Sequence, residues 1–513
     1  MTPMGRTLRL GTRASLLAVA QSQIVKQALG ERCPTLRVEL VTMDTRGDRD
    51  RATPLAEVND PDFFSAELDR ALLDGRVDFT VHSMKDLDAT RPDNIARAAI
   101  PLRENPRDVI VFRGDIVDRL RSGETIRLGS SSPRRQHNVA RFLNDCLPIL
   151  GPQPNLRVLP LRGPVHDRVA RIAEHPTGAD ALDGVVLALA GLERLWRDPD
   201  GHRALAPHLA GARWMVLPLS ACPTAPAQGA LAIECRADDR ATLEILAGLH
   251  DAQTADLVQM ELDAMGALPQ SEQMGVGATA VYHATLGGLL YRRGARDESC
   301  VITWQSPAAP PDRDLVNAWD GGAWQSGIER RPLPCAIDLE NQPAIFVAHW
   351  FAAPAQLTDR AGTRIWVSGT KSWRKLAERG IWVEGCADNL GFTNIVPTLA
   401  SDVLNLPELG RWTALTRRGA EAGWHDTHVG YIVPTYELSG PHAKQLENAR
   451  RAVSISTDFF WGSVEQFRAV EAWLPDNARH ACGAGKTADA LRAAGVEAPL
   501  VFPSRGEWQA WLR

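Results

Sequence analysis

Ile126-Arg127-Leu128-Gly129-Ser130-Ser131-Ser132-Pro133-Arg134-Arg135 reads as a strand that turns directly into a helix. The residues ahead of Gly129 suit a buried strand. A serine before Pro133 offers its oxygen to the first free N–H groups, and proline fits the first helical turn. A helix start carries partial positive charge, and two arginines there add forked donors suited to carboxylate or phosphate.

The same alternation runs through the first 240 residues. Strands are predicted at 8–12, 37–42, 78–83, 108–112, 126–130, 157–161 and 185–190. Most precede helical periodicity, including a helix from about Ser15 and one over 63–73 with Asp60 or Asp62 as N-cap. This predicts an α/β fold with largely parallel sheets, in which ligands gather beyond the carboxyl ends of strands. Arg13, Arg134, Arg135, Arg162, Arg168 and Arg194 all fall at such ends. A single arginine there is most simply a surface ion pair; six point to one polyanionic ligand. His82-Ser83-Met84-Lys85-Asp86 places a carboxylate among these cations. Asp86 reads either as a partner of Lys85 or Arg13, or as an acid that stabilises positive charge on a ligand.

Composition narrows the class. A chain of 513 residues predicts three to four domains, since one core rarely serves more than ~250–300 residues. With 44% hydrophobic and 23% charged residues it is neither disordered, collagenous nor coiled coil. No apolar run reaches the ~18 residues of a membrane span, so no membrane partner is expected. Lys plus Arg (57) against Asp plus Glu (62) argues against a nucleic-acid partner. The eight cysteines form no CxxC pair, which leaves a zinc ribbon or thioredoxin-type site without support and no metal expected. The apolar stretch at 14–20 is short and bordered by Arg13, so a cytoplasmic protein with reduced thiols is expected rather than a secreted one. Thirteen of the 15 tryptophans follow residue 300, a shift that marks a C-terminal part of separate origin. Residues 306–314 read as an exposed loop ahead of it.

Taken together, Leu10-Gly11-Thr12-Arg13-Ala14-Ser15, the His82–Asp86 block, Pro106-Arg107-Asp108, Gly129 to Gln136, Leu161-Arg162-Gly163, Leu187 to Leu192, Gln228-Gly229-Ala230 and Ile233-Glu234-Cys235 resemble hydroxymethylbilane synthase, the porphobilinogen deaminase family, over about residues 7–300. The resemblance implies two domains like periplasmic binding proteins facing a cleft, at 1–104 (plus about 226–245) and 105–225. It implies a small α+β third domain at 246–340. The activity implied is a transferase that condenses four porphobilinogen molecules with loss of ammonia. It would act as a monomer, on a dipyrromethane cofactor held by a cysteine of the third domain. By motif position Asp86 would be catalytic. Arg13, Arg134, Arg135, Arg162, Arg168 and Arg194 would hold acetate and propionate groups, with Ser83, Lys85, Ser130 and Ser132 assisting.

Two departures accompany the match. Pro269-Gln270-Ser271-Glu272-Gln273-Met274-Gly275 puts Glu272 in the place of the primer cysteine, and a carboxylate is a far poorer carbon nucleophile than a thiolate. The loop that would cover the cleft, 54–62 ahead of Phe63-Phe64, is acidic, which disfavours an anionic product. These leave two rivals: a diverged or catalytically silent relative that binds porphobilinogen-like anions, and a binding protein of the same two-lobed fold. Residues 341–513, through Ile365 to Thr370, Asp458 to Ser463 and Ala481 to Thr487, are similar to uroporphyrinogen-III synthase, which would add a lyase. Gly485-Lys486-Thr487 is no phosphate loop, because His480 stands where that motif needs glycine.

Overall fold

A computed structural model describes residues 7–45, 65–88, 90–174, 181–297, 299–306, 308–312, 316–322, 329–360, 362–440 and 443–513. The first sheet takes the order β2-β1-β3-β10-β4, from β1 (Thr7–Arg13), β2 (Arg37–Met43), β3 (Phe79–Ser83), β4 (Ile95–Ala99) and β10 (Leu231–Arg236). The second takes the order β7-β6-β8-β5-β9, from β5 (Asp108–Phe112), β6 (Ile126–Gly129), β7 (Leu156–Leu159), β8 (Gly184–Ala188) and β9 (Arg213–Val216). In each sheet the early strands pair in parallel, while β10 and β5 run antiparallel to both neighbours. The chain therefore crosses between two lobes twice, through residues 100–107 and back through 217–230.

Three antiparallel strands follow, β11 (Gly277–His283), β12 (Gly287–Arg293) and β13 (Val301–Trp304). The helix Ala252–Gly266 covers them by packing Met265 on Ala278, Ala280 and Leu290. Two further sheets complete the chain. One has the order β15-β20-β19-β16-β17-β18, formed by Arg330–Pro332, Tyr431–Leu438, Trp412–Arg417, Ala344–Val347, Arg364–Val367 and Gly385–Cys386. The other has the order β14-β21-β22-β23, formed by Ala318–Trp319, Asp458–Trp461, Arg479–Gly483 and Leu500–Phe502. Strands β14 and β15, expected within the third domain, pair with the C-terminal sheets instead.

The C-terminal tryptophans join the halves. Trp382 packs edge-on against Phe112 at 5.2 Å and donates its indole N–H to the Trp214 carbonyl at 3.0 Å. Trp373 packs on Phe142 at 5.0 Å and donates to the Cys146 carbonyl at 3.1 Å. Each is buried with its one donor satisfied, the condition under which a core tolerates tryptophan. Asp388 reaches further, to both crossings. Its carboxylate accepts from Arg107 Nη1 at 2.6 Å on one, and from the Leu219 and Ser220 amides, both at 3.1 Å, on the other. Asp388 and Asn389 hold φ of 50° and 62°, a left-handed pair that aims this carboxylate at a cost of about 1–2 kcal/mol per residue.

Two local expectations change. The helix expected over 63–73 runs Ala66–Leu73 after Ser65; Asp60, Asp62, Phe63, Phe64 and the acidic 54–62 segment lie outside the described residues. The strand expected to Ala190 ends at Ala188, because the apolar run continues as the helix Leu189–Arg197 and puts Arg194 on a helix.

Candidate functional site

The recess begins at the ends of β1 and β3. Ser15 caps the helix Leu16–Arg32 by accepting from the Ala18 amide, which fixes the turn carrying Arg13. After β3 a single helical turn, Met84–Asp86, presents Lys85 and Asp86. Arg13, Gln21, Ser65, His82, Ser83 and Asp86 line a small open recess, and Gln21 donates to Ser83 Oγ at 2.8 Å. His82 is buried, its Nε2 4.0 Å from Glu234 Oε2 and without a hydrogen bond among the described residues, and burial, Arg91 and Arg13 pull its pKa down to about 3. It therefore meets the recess as neutral imidazole. Asp69, His82 and Glu234 gather as closely as metal ligands. Arg91 already fills that role, with Nη2 at 2.6 Å from Asp69 and 2.9 Å from Glu234.

The second lobe brings the other cations. Ser132 caps the helix Pro133–Cys146, its Oγ accepting from the Arg135 amide at 3.5 Å, while the Ser132 amide donates to Ser130 Oγ at 3.4 Å. Arg134 and Arg135 are buried and converge on Asp108: Arg134 Nη1 at 2.9 Å, Arg135 Nη2 at 2.6 Å and Nε at 3.1 Å. Burial would raise the Asp108 pKa, but the two guanidiniums outweigh it and hold this carboxyl well below the usual range. Gln228 donates to the same carboxylate at 2.8 Å and accepts from Lys85 Nζ at 3.4 Å, tying the first lobe to the second.

Arg168 donates to the Gly163 carbonyl at 2.7 Å. Burial, then Arg135, brings it to about 10, with Asp86 opposing and Arg162 adding, so it stays cationic at neutral pH. Arg162 Nη1 is buried without a hydrogen-bond partner among the described residues. Lys85 is exposed at its surface, and the protein packed around it lowers its pKa while Asp86 opposes that shift. Arg13, Lys85, Asp86, Arg134, Arg135, Arg162 and Arg168 thus share one electrostatic neighbourhood. Arg194 stands at its edge, giving Nη2 to the Gly229 carbonyl at 2.5 Å, and burial brings it to about 10.

Ser131, Asp108 and Gln228 received no role from the sequence. Ser131 joins the ends of β6 and β7 by exchanging hydrogen bonds with the Leu161 backbone. Gln228 and Asp108 lay inside motifs, but nothing in residue type alone says that one carboxylate holds two arginines.

Glu272 sits in the turn Gln270–Gln273, where its carboxylate accepts from Arg296 Nη1 at 3.2 Å. The turn leads to Gly277, packed so closely on Arg134 that a Cβ there would stand 2.9 Å from Arg134 Cδ. Cys300, the nearest later cysteine, faces the Arg292 carbonyl at 3.5 Å, and burial pushes its thiol up to about 12. The cationic neighbourhood fits the carboxylates of a pyrrole cofactor; a thioether anchor at Glu272 does not fit.

Two α/β lobes are joined by a double crossing, and Gln228 on the return crossing links Lys85 of the first lobe to the Asp108 carboxylate that holds Arg134 and Arg135 of the second. The family described as porphobilinogen deaminase, dipyromethane cofactor binding domain, matches residues 8–244. The porphobilinogen deaminase of Syntrophotalea carbinolica is 39% identical over 255 residues, 50% of this chain and 72% of that protein. That of Syntrophobacter fumaroxidans is 36% identical over 277 residues, 54% of this chain and 80% of that protein. The chain belongs to the porphobilinogen deaminase family, through its N-terminal part. Among solved structures, the BenM effector-binding domain with benzoate overlaps 52% of this chain and 98% of that domain at 14% identity, with a TM-score of 0.26, too slight to bear on function.

Proposed function

We propose that the N-terminal region is a hydroxymethylbilane synthase that joins porphobilinogen molecules head to tail and releases ammonia. The observation that carries this is Asp86 in a recess with Arg13, within electrostatic reach of Lys85 and Arg168. The guanidiniums bind acetate and propionate groups in forked geometry. As the aminomethyl C–N bond breaks, positive charge spreads over the pyrrole, and the ring N–H sharpens as a donor. Asp86 accepts that N–H and faces the charge. At ~4 Å and an effective dielectric of about 20 this is worth about 4 kcal/mol, roughly a thousandfold in rate.

Steady-state kinetics of Asp86→Asn and Arg168→Ala test it. Asp86→Asn is expected to lose roughly a thousandfold in kcat with KM little changed, by the charge argument above. Arg168→Ala is expected to raise KM. Normal turnover by Asp86→Asn refutes the assignment.

The C-terminal region reads best as a uroporphyrinogen-III synthase-like pair of α/β units, which would convert the linear product made by the same chain. Its two largely parallel sheets support this, as does His349 just beyond β16. Burial, Arg330 and Lys371 bring that histidine to about 4, a cationic setting at strand ends suited to a polycarboxylate. A second reading rests on Glu272: a silent relative would bind porphobilinogen and release neither ammonia nor bilane.

A further inference from the structure

The family's cofactor needs a nucleophile on the third unit that is both reactive and close to the cations. Glu272 has the place, because its turn runs into Gly277 against Arg134, but its carboxylate is engaged by Arg296. An ester from it to a pyrrolylmethyl carbon would leave again as readily as it formed. The cysteines offer no substitute. Five of the eight are buried. Cys300 is held largely as thiol, its pKa at about 12, and turned to a backbone carbonyl. Cys33 follows the helix Leu16–Arg32 at the end opposite Ser15, and Cys335 packs with the C-terminal core. No cysteine lines the recess that holds Arg13 and Asp86.

We infer that this chain anchors no primer through sulfur, and that the pyrrole chain it extends is a free oligopyrrole held by its carboxylates. This rests on porphobilinogen being the substrate. A two-ring acceptor brings four carboxylates to the clustered guanidiniums, so retention needs no bond. The acceptor leaves after extension by dissociation rather than by cleavage from the protein.

The test takes the full chain and its Glu272→Cys variant, each incubated with porphobilinogen. Small molecules are filtered off and assayed for ammonia and linear pyrroles, and the protein is denatured and its intact mass measured. Wild type is expected to release both products while its denatured mass equals that of the polypeptide. Glu272→Cys is expected to gain two pyrrole units. The first porphobilinogen loses its C–N bond as a C–S bond forms, the thiol proton leaving with the amine as ammonia; the second loses its C–N bond as a C–C bond forms to the free α carbon of the first ring, whose proton leaves with the second amine as ammonia. Pyrrole mass retained on denatured wild type overturns the inference and leaves the proposed activity standing. A variant that stays unlabelled while wild type turns over at the bare polypeptide mass also supports the inference, because turnover then proceeds without any anchor at this position. Absence of ammonia and bilane from both proteins, with no labelling, instead refutes the proposed activity, and the inference falls with it.

Discussion

Replacing Asp388 by asparagine tests whether the C-terminal half holds the two crossings together. Asp388 is 4% exposed and Arg107 7%. The carboxylate takes Arg107 Nη1 at 2.6 Å, Ser220 Oγ at 2.6 Å and two backbone amides at 3.1 Å. Asparagine keeps the shape and tolerates the left-handed backbone, but supplies one acceptor oxygen and no charge. Arg107 is then a buried cation without its counter-charge, a loss of about 3–5 kcal/mol. Against a domain stability of roughly 5–15 kcal/mol that lowers Tm by about 6–20 °C. Urea unfolding and calorimetry of Asp388→Asn measure it. The double variant Arg107→Met/Asp388→Asn removes both charges and should recover most of the loss, since the penalty lies in the orphaned charge. A single variant within 1 kcal/mol of wild type, or a double variant no better than the single, refutes the reasoning.

Two further perturbations follow from the same structure. His82 holds its proton only below about pH 3 when folded, against 6.5 in its free form, so the unfolded chain binds more protons between those values. Stability from this group is complete above pH 6.5 and falls by up to ~1.4 kcal/mol per unit on acidification toward 3. Glu193, raised to about 7 by burial, gives the opposite slope between 4.5 and 7, so the readout is the difference between wild type and His82→Gln in urea titrations at several pH values. Equal slopes in the two proteins contradict it. Gly229 holds φ of 89°, and a Cβ there would press on the Glu104 carbonyl. Gly229→Ala should cost about 2 kcal/mol or more by thermal unfolding, and a change under 0.5 kcal/mol would remove this account.

The alternation of apolar runs and helical periods made both lobes legible, because strands such as 108–112 are buried on both faces and read as continuous apolar stretches. Residue chemistry also marked Ser132 as a cap, where serine before proline has few other uses. Less legible was the pairing inside the cation cluster. Arginines at strand ends are visible one by one, but Asp108 sits at the start of β5, far in sequence from Arg134, and only folding sets them 2.9 Å apart. The run 185–190 misled for a related reason: apolar content continues across the strand–helix junction, and only hydrogen bonding marks the change. Asp388 could not be found from sequence, since its partners lie on segments 168 and 281 residues away.

Asp108 gives the buried arginine pair a property that outlasts any single contact. Bringing like charges side by side is ordinarily opposed until a counter-ion arrives, and side chains meanwhile swing outward to escape one another. Here an internal anion settles that repulsion while the protein folds, so Arg134 and Arg135 hold their directions without help from a ligand. Under the proposed function, a carboxylate ligand would meet a finished mould instead of assembling one, and recognition would be a matter of fit more than of induced gathering.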